Sequence, residues 1–218
     1  MTADGQRPIV ITLYGLTFVT GLIDAVSYLG LGRVFTANMT GNIVFVGFAL
    51  GGASDISIVR ALMALGAFAA GSVLGGRMIN FSERPAAHHL LWAMAFETML
   101  IAVAALAFSV MTGGLNLAIV LTAMAMGLRN AVVRKLAVPD FTTTVLTTAL
   151  TAVSADSRLA GGTAARQGRR LLMLGAMCAG ALIGTVILRS LGTLAAFLSA
   201  PVIVGCLALY LMRAVRTH

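Results

Sequence analysis

Charge is scarce in this chain. Of its 218 residues only 10% are Asp, Glu, Lys or Arg, and just 7 are acidic, against about 25% charged residues in a soluble globular domain. With 59% hydrophobic residues and a mean hydropathy of +0.98, the chain lacks the polar surface that water requires. An ordinary soluble domain is excluded, and a membrane protein of several spans is implied. Cysteine is almost missing: Cys178 and Cys206 both fall in apolar stretches. No disulfide framework and no metal-ligand spacing can be built from them, so both are expected as small packing residues. No nucleophile, base or metal set stands at reactive spacing, so the reading is not an enzyme, with no metal and no cofactor. A basic domain interleaved with aromatics is also lacking. The 15 basic residues behind the net charge of +8 are spread between apolar runs, which speaks for topology signals and membrane lipid and against nucleic acid.

What the chain does have is long apolar runs, at about 8–32, 40–53, 57–80, 87–111, 114–137, 141–154, 170–190 and 193–213. The first is too long for a signal-peptide core and lacks a small-x-small cleavage site before soluble sequence, so it is expected as a retained span. The order is long, short, long, long, and then the same again. Residues agree with lengths: Gly21-x-x-Asp24-Ala25-Val26 matches Gly127-x-x-Asn130-Ala131-Val132, and Phe35-Thr36 matches Phe141-Thr142, all at an offset of 106. Leu65-Gly66-Ala67-x-x-Ala70-Gly71-x-x-x-Gly75 matches Leu174-Gly175-Ala176-x-x-Ala179-Gly180-x-x-x-Gly184 at an offset of 109. The reading is one membrane domain of two repeats, 8–111 and 112–214.

The two short runs decide how the repeats are related. At ~1.5 Å per residue, about 14 residues do not comfortably cross a ~30 Å hydrocarbon core. If all eight runs crossed, with the C-terminus inside, the inner side would hold 8 basic residues and the outer side 6. If the short runs instead turn back, Arg77, Arg84, Arg134 and Lys135 move inside and Arg60 moves out, giving 11 to 3. The positive-inside rule selects the second arrangement. The expected fold is therefore an all-α membrane protein with six transmembrane helices and two re-entrant half-helices, built as two inverted repeats. Both termini are expected on the inner, cytoplasmic side.

Irregular backbone at membrane depth is tolerated only inside protein or along a water-filled cavity, and in transporters half-helix amino ends mark the substrate site. The candidate substrate-binding residues follow from that placement: Asn38, Thr40, Gly41 and Asn42 at the first half-helix, and Thr143, Thr144 and Thr147 at the second. N-capping is the plainer reading of the same side chains. Asp24 and Asn130, equivalent across the repeats, join them, because an ionisable residue inside a span is costly unless it is paired or hydrated. Glu97 and Arg129 stand 16 residues either side of Gly113 in the Thr112-Gly113-Gly114 turn, so an antiparallel hairpin sets them level. They are expected as a structural ion pair, the alternative being that Arg129 offers its guanidinium to an anion. Gly66, Gly71 and Gly75, with Gly175, Gly180 and Gly184, are expected as packing faces that also permit a homo-oligomer. His88 and His89 make a poor metal pair, and Trp92 reads as an interfacial anchor.

Two patches carry a resemblance. Gly21-x-x-Asp24-Ala25-x-Ser27-Tyr28-Leu29 running through Phe35 to Met39-Thr40-Gly41-Asn42, and Gly127-Leu128-Arg129-Asn130-Ala131 running through Pro139-Asp140-Phe141-Thr142 to Thr147, resemble the YoaK-like family of small bacterial membrane proteins. That is a family of unknown function, usually drawn with about six spans; the resemblance implies a protein of the bacterial inner membrane, and it supplies no substrate and no site residues. The function expected from the residues is a transporter or channel for a small polar or anionic solute, bound at the midplane between the two half-helix amino ends. Asp24 opposes a simple anion site. The expectations reconciling the two are uptake of H+ or Na+ together with the solute, or a solute that is zwitterionic or neutral and polar. The alternative is a non-transporting membrane scaffold or sensor.

Overall fold

A computed structural model of the chain describes residues 3–136, 145–164 and 166–216, with backbone alone at 3–6 and 145. Among the described residues there are eight α-helices, one 3-10 turn and no strand. The helices are α1 (Ala3–Gly30), α2 (Met39–Leu50), α3 (Ile58–Asn80), α4 (Ala86–Val110), α5 (Gly114–Leu136), α6 (Val145–Ala155), α7 (Gln167–Leu191) and α8 (Thr193–Arg216). Six of them are long and apolar enough to cross a membrane, with apolar spans of 23 to 25 residues. At ~1.5 Å per residue such spans match a ~30 Å hydrocarbon core. The remaining two, α2 with 12 residues and α6 with 11, are too short.

Local chemistry sets the boundaries. After α1 the chain enters the left-handed region at Gly32 (φ +87°) and Arg33 (φ +58°), which ends the helix. Helix α2 begins where the Asn38 side chain accepts the Gly41 N–H at 3.4 Å, an N-cap that answers one orphan donor. Ser57 caps α3 in the same way, accepting from Arg60 N at 3.4 Å. The α4–α5 hairpin turns at Gly113, whose φ of +84° only glycine adopts without strain.

Helices α1 and α5 are the central ones, each with 56% of its apolar span buried against 17% for α7. The most extensive helix contacts are α3 on α5 and α1 on α7, followed by α4 on α5 and on α8, and α1 on α8. Glycines allow the first two. Gly71 faces the Met124 carbonyl, Gly75 the Leu128 carbonyl and Gly127 the Phe68 carbonyl. In the other pair Gly180 faces the Phe18 carbonyl, Gly184 the Leu22 carbonyl and Gly21 the Met177 carbonyl. A methyl group at any of these six positions would collide with neighbouring backbone, which is how small residues bring helices close where lipid offers no hydrophobic drive. The numbering also fixes direction. Residues 18 and 22 meet 180 and 184, and residues 124 and 128 meet 71 and 75, so within each pair the helices run in the same sense.

Two expectations from sequence need correcting. Gly66 and Gly175 are not in these seams, since an added Cβ at either meets nothing within 4 Å; a glycine stripe does not reveal which of its members the helix rotation turns outward. Cys178 and Cys206 are likewise exposed on the outer helix surfaces and not packed inside. Trp92 is half exposed and lies tilted against Phe96, with ring centroids 6.4 Å apart.

At one end of the bundle the loop after α1 and the loop before α3 are joined. Arg33 Nη1 donates to Asp55 Oδ2 at 2.9 Å, and the Arg60 side chain lies against Gly32. At the other end, the Tyr14 hydroxyl donates to the Arg169 carbonyl at 3.5 Å, bringing the first part of α1 beside the start of α7.

Candidate functional site

The site is assembled on α1. Thr17, Thr20 and Asp24 follow one another at i, i+3 and i+7, the spacing of a single helix face. Thr17 and Thr20 donate their hydroxyls back to the carbonyls of Leu13 and Leu16, at 2.9 Å and 2.8 Å. That satisfies the donors inside a span and leaves oxygen lone pairs facing outward. Asp24 is buried, and its Oδ1 accepts the Ala37 N–H at 3.1 Å. The N–H groups of Thr36 and Asn38 also aim at this carboxylate. Asp24 therefore holds the start of α2 beside α1, six residues before α1 ends.

Glu97 and Arg129 form a buried ion pair, Nη1 to Oε1 at 2.7 Å, with side-chain exposures of 0% and 2%. The second guanidinium nitrogen donates to Thr20 Oγ1 at 2.5 Å and approaches Met126 Sδ at 3.3 Å. Helices α1, α4 and α5 are thus tied through one guanidinium. Glu97 Oε2 is buried without a hydrogen-bond partner among the described residues.

Thr17, Thr20, Asp24 and Arg129 border a cavity of about 500 Å³ between α1, α2, α5, α6 and α7. Of the residues expected from sequence, Asp24, Asn38, Thr40, Gly41, Arg129, Asn130 and Thr147 line it. Thr143 and Thr144 lie outside the described residues. Asn42 does not line it. Its fully buried amide donates to the Phe35 carbonyl at 2.6 Å and accepts the Phe35 N–H at 3.0 Å, so Asn42 pins the loop before α2 to the helix. A buried amide bonded both ways to one residue is a staple, and nothing in its residue type distinguishes that from a ligand contact.

The rest of the lining is apolar or weakly polar: Leu13, Leu16, Val44 and Val133, two phenylalanines, and Met173 and Met177 of α7 among them. Phe35 and Phe45 stack at 5.6 Å, and Tyr28 stacks on Phe35 at 5.0 Å. Sequence reasoning missed Thr20, whose i, i+3, i+7 relation to Thr17 and Asp24 was the available signal, and it missed the aromatic and methionine walls, which core packing imitates. A second hollow, of about 860 Å³, is formed by the α6–α7 connection and includes Ser157, Arg158 and Gln167. It touches none of the buried charges. Among the described residues no group of three or more His, Cys, Asp or Glu side chains converges on a metal position.

Comparison with known proteins gives a family and no activity. The model of the family described as "Protein of unknown function (DUF1275)" matches residues 12–210. The UPF0700 transmembrane protein YoaK of Bacillus subtilis (strain 168) is 34% identical over 163 residues, covering 72% of this chain and 69% of that protein. No solved structure matches the chain. The match takes in α2 to α7 whole, the Asp24–Ala37 contact and the Glu97–Arg129 pair, and on it this transmembrane chain belongs to the DUF1275 family.

Proposed function

We propose that the chain is a membrane transporter or channel for a small polar solute, with α2 and α6 as half-helices that turn back within two inverted repeats. Several contacts support the turning back of α2. It starts beside Asp24, midway down the second half of α1, and the Arg33–Asp55 pair joins the loops on either side of it. Helix α3 then leaves from the end at which α1 arrives. Arg129 meets Thr20 while Val133, one turn later, shares the cavity wall with Leu13 and Leu16, so α5 descends as α1 climbs. Since α7 runs with α1, the segment carrying α6 leaves and returns at a single end as well.

The glycine contacts support the repeat. Moving Phe68, Gly71 and Gly75 forward by 109, and Met124, Gly127 and Leu128 back by 106, turns each contact of the α3–α5 seam into one of the α1–α7 seam. Under this arrangement both termini and the basic residues Arg77, Arg84, Arg134 and Lys135 share one side, the cytoplasmic side by the positive-inside rule.

The observation that carries the functional reading is the cavity itself. It sets a carboxylate and a guanidinium, both buried, beside the amino end of a short helix within the span region, and irregular backbone at that depth is otherwise hard to accommodate. Solute flux into proteoliposomes, measured for a panel of amines, amino acids, carboxylates and sugars, tests it. Flux of one class above protein-free liposomes, lost in Gly41→Leu, is the expected result. No flux of any class, from protein that is folded and monodisperse, would leave a scaffold or sensor as the reading.

A further inference from the structure

The charges around the cavity do not balance, and their imbalance names a ligand class. Among the described residues the lining contains two ionisable side chains, Asp24 and Arg129. Arg129 is already neutralised by Glu97 behind it at 2.7 Å. Helices α2, α6 and α7 contribute no charged side chain to the wall. Asp24 has backbone N–H donors on one side, but among the described residues no Lys or Arg makes an ion pair with it. Two carboxylates and one guanidinium leave the site one positive charge short, and a buried charge is stable only when it is paired. The amino end of α2 is a poor anion site, because the Asn38 side chain takes the Gly41 N–H and the Asp24 carboxylate, bonded to Ala37 N–H just before the helix, already sets a negative charge beside it.

Part of the remaining wall is suited to the body of an organic cation. Phe35 and Phe45 present stacked rings to the cavity, and Met173 and Met177 add polarisable sulfur. Aromatic faces attract cations, most strongly where water is excluded, and thioethers adapt to varied apolar shapes. A Ca²⁺ or Mg²⁺ ion would instead require six or more oxygen ligands, and it would leave these rings and sulfurs facing water. About 500 Å³ is room for a small molecule.

Resting on the reading of this cavity as a solute site, we propose that it binds small monovalent organic cations, a protonated amine pairing with Asp24 while its hydrocarbon body lies against Phe35, Phe45, Met173 and Met177. The test uses three ligands with one aromatic body and different charge: phenethylammonium, phenylalanine and 3-phenylpropionate, titrated calorimetrically into the full-length protein in nanodiscs at neutral pH, with sodium chloride as the salt control. Phenethylammonium is expected to bind, and 3-phenylpropionate and sodium chloride to give no binding heat. Asp24→Asn should weaken phenethylammonium by at least about thirtyfold, the loss expected when one member of a buried charge pair is truncated. Phe45→Leu should weaken it by about two- to fivefold, the size of an aromatic cation contact.

Tighter binding of 3-phenylpropionate or phenylalanine, no binding of any of the three, or an unchanged affinity in Asp24→Asn overturns the proposal. If Asp24→Asn does not fold, the charge series on the native protein and the Phe45→Leu titration decide. Binding of phenethylammonium without its flux in proteoliposomes would remove the transporter reading and keep the cation site. Flux of an anion without phenethylammonium binding would do the reverse.

Discussion

Removal of the Glu97 carboxylate is the sharpest perturbation the structure offers. In Glu97→Gln the side chain keeps its volume and a hydrogen-bonding oxygen, but Arg129, 2% exposed, keeps its full charge without its ion-pair partner, its other hydrogen bonds going to Thr20 and Met126. Breaking a buried pair from one side typically costs about 3–5 kcal/mol, because the surviving charge stays buried and uncompensated. Within a span the figure is moderated by snorkelling and local water, and ~3 kcal/mol is the expectation, close to the insertion cost of a lone central charge. Arg129→Gln alone should cost a similar amount by stranding Glu97. In the double variant two amides of matching length face each other across the α4–α5 hairpin, and the loss should shrink to about 1–2 kcal/mol, since neutral partners carry no desolvation debt. Reversible unfolding of the purified protein in mixed micelles under increasing sodium dodecyl sulfate gives all four free energies and their coupling. Two single variants within about 0.5 kcal/mol of the native protein, or single losses that simply add in the double, would show that the pair does not hold the hairpin.

Other expectations follow from particular contacts. Gly127→Val, whose side chain would run into the Phe68 carbonyl, should destabilise the protein by about 2 kcal/mol or more in the same titration, while Gly175→Ala, open to its surroundings, should stay within about 0.5 kcal/mol. In a background with Cys178 and Cys206 replaced, Ala53→Cys and Leu159→Cys should react with an impermeant maleimide from opposite faces of the membrane; reaction from the same face would end the inverted arrangement. Gly41→Leu forces its side chain onto the Phe35 ring, whose carbons lie 2.7 and 2.9 Å from an added Cβ, and should push that ring into the cavity, abolishing ligand binding with little change in thermal unfolding. Loss of the exposed Arg33–Asp55 pair in Asp55→Asn should cost under about 1 kcal/mol.

The helices were largely legible in the sequence because apolar run length sets them directly. The runs 57–80 and 114–137 became Ile58–Asn80 and Gly114–Leu136, and the two short runs became α2 and α6. The facing of Glu97 and Arg129 was legible too, since a tight turn at Gly113 converts sequence distance into depth. Contacts between helices that no short loop joins were not. Thr20 meets Arg129 across 109 residues, and nothing in the pattern of either helix specifies the other. Asn42 shows a different limit. Its amide suits a ligand, a cap or a staple equally, and only the position of the Phe35 backbone decides between them. The outward turn of Gly66 and Gly175 depends on helix rotation to within a fraction of a turn, which a glycine-rich apolar sequence leaves open.

Under the proposed repeat, the scaffold and the chemistry obey different rules. The glycine contacts recur in both halves, as a shared helix-packing solution requires. The buried charges do not. Asp24 has Asn130 as its counterpart and Arg129 has Ile23 at the same offset, while α8 carries no charged residue before Arg213 to answer Glu97. A pore needing only a polar lumen would gain nothing from this difference, because hydroxyls and amides in equivalent places would serve both halves. Among the described residues the three buried charges, on α1, α4 and α5, instead give the cavity a carboxylate toward α2 and a neutralised guanidinium toward α5. Such a field orients a ligand. It also makes the two halves unequal in what they hold during any exchange between them, so Asp24 and the α2 end it secures are the part of the site expected to set which solutes enter.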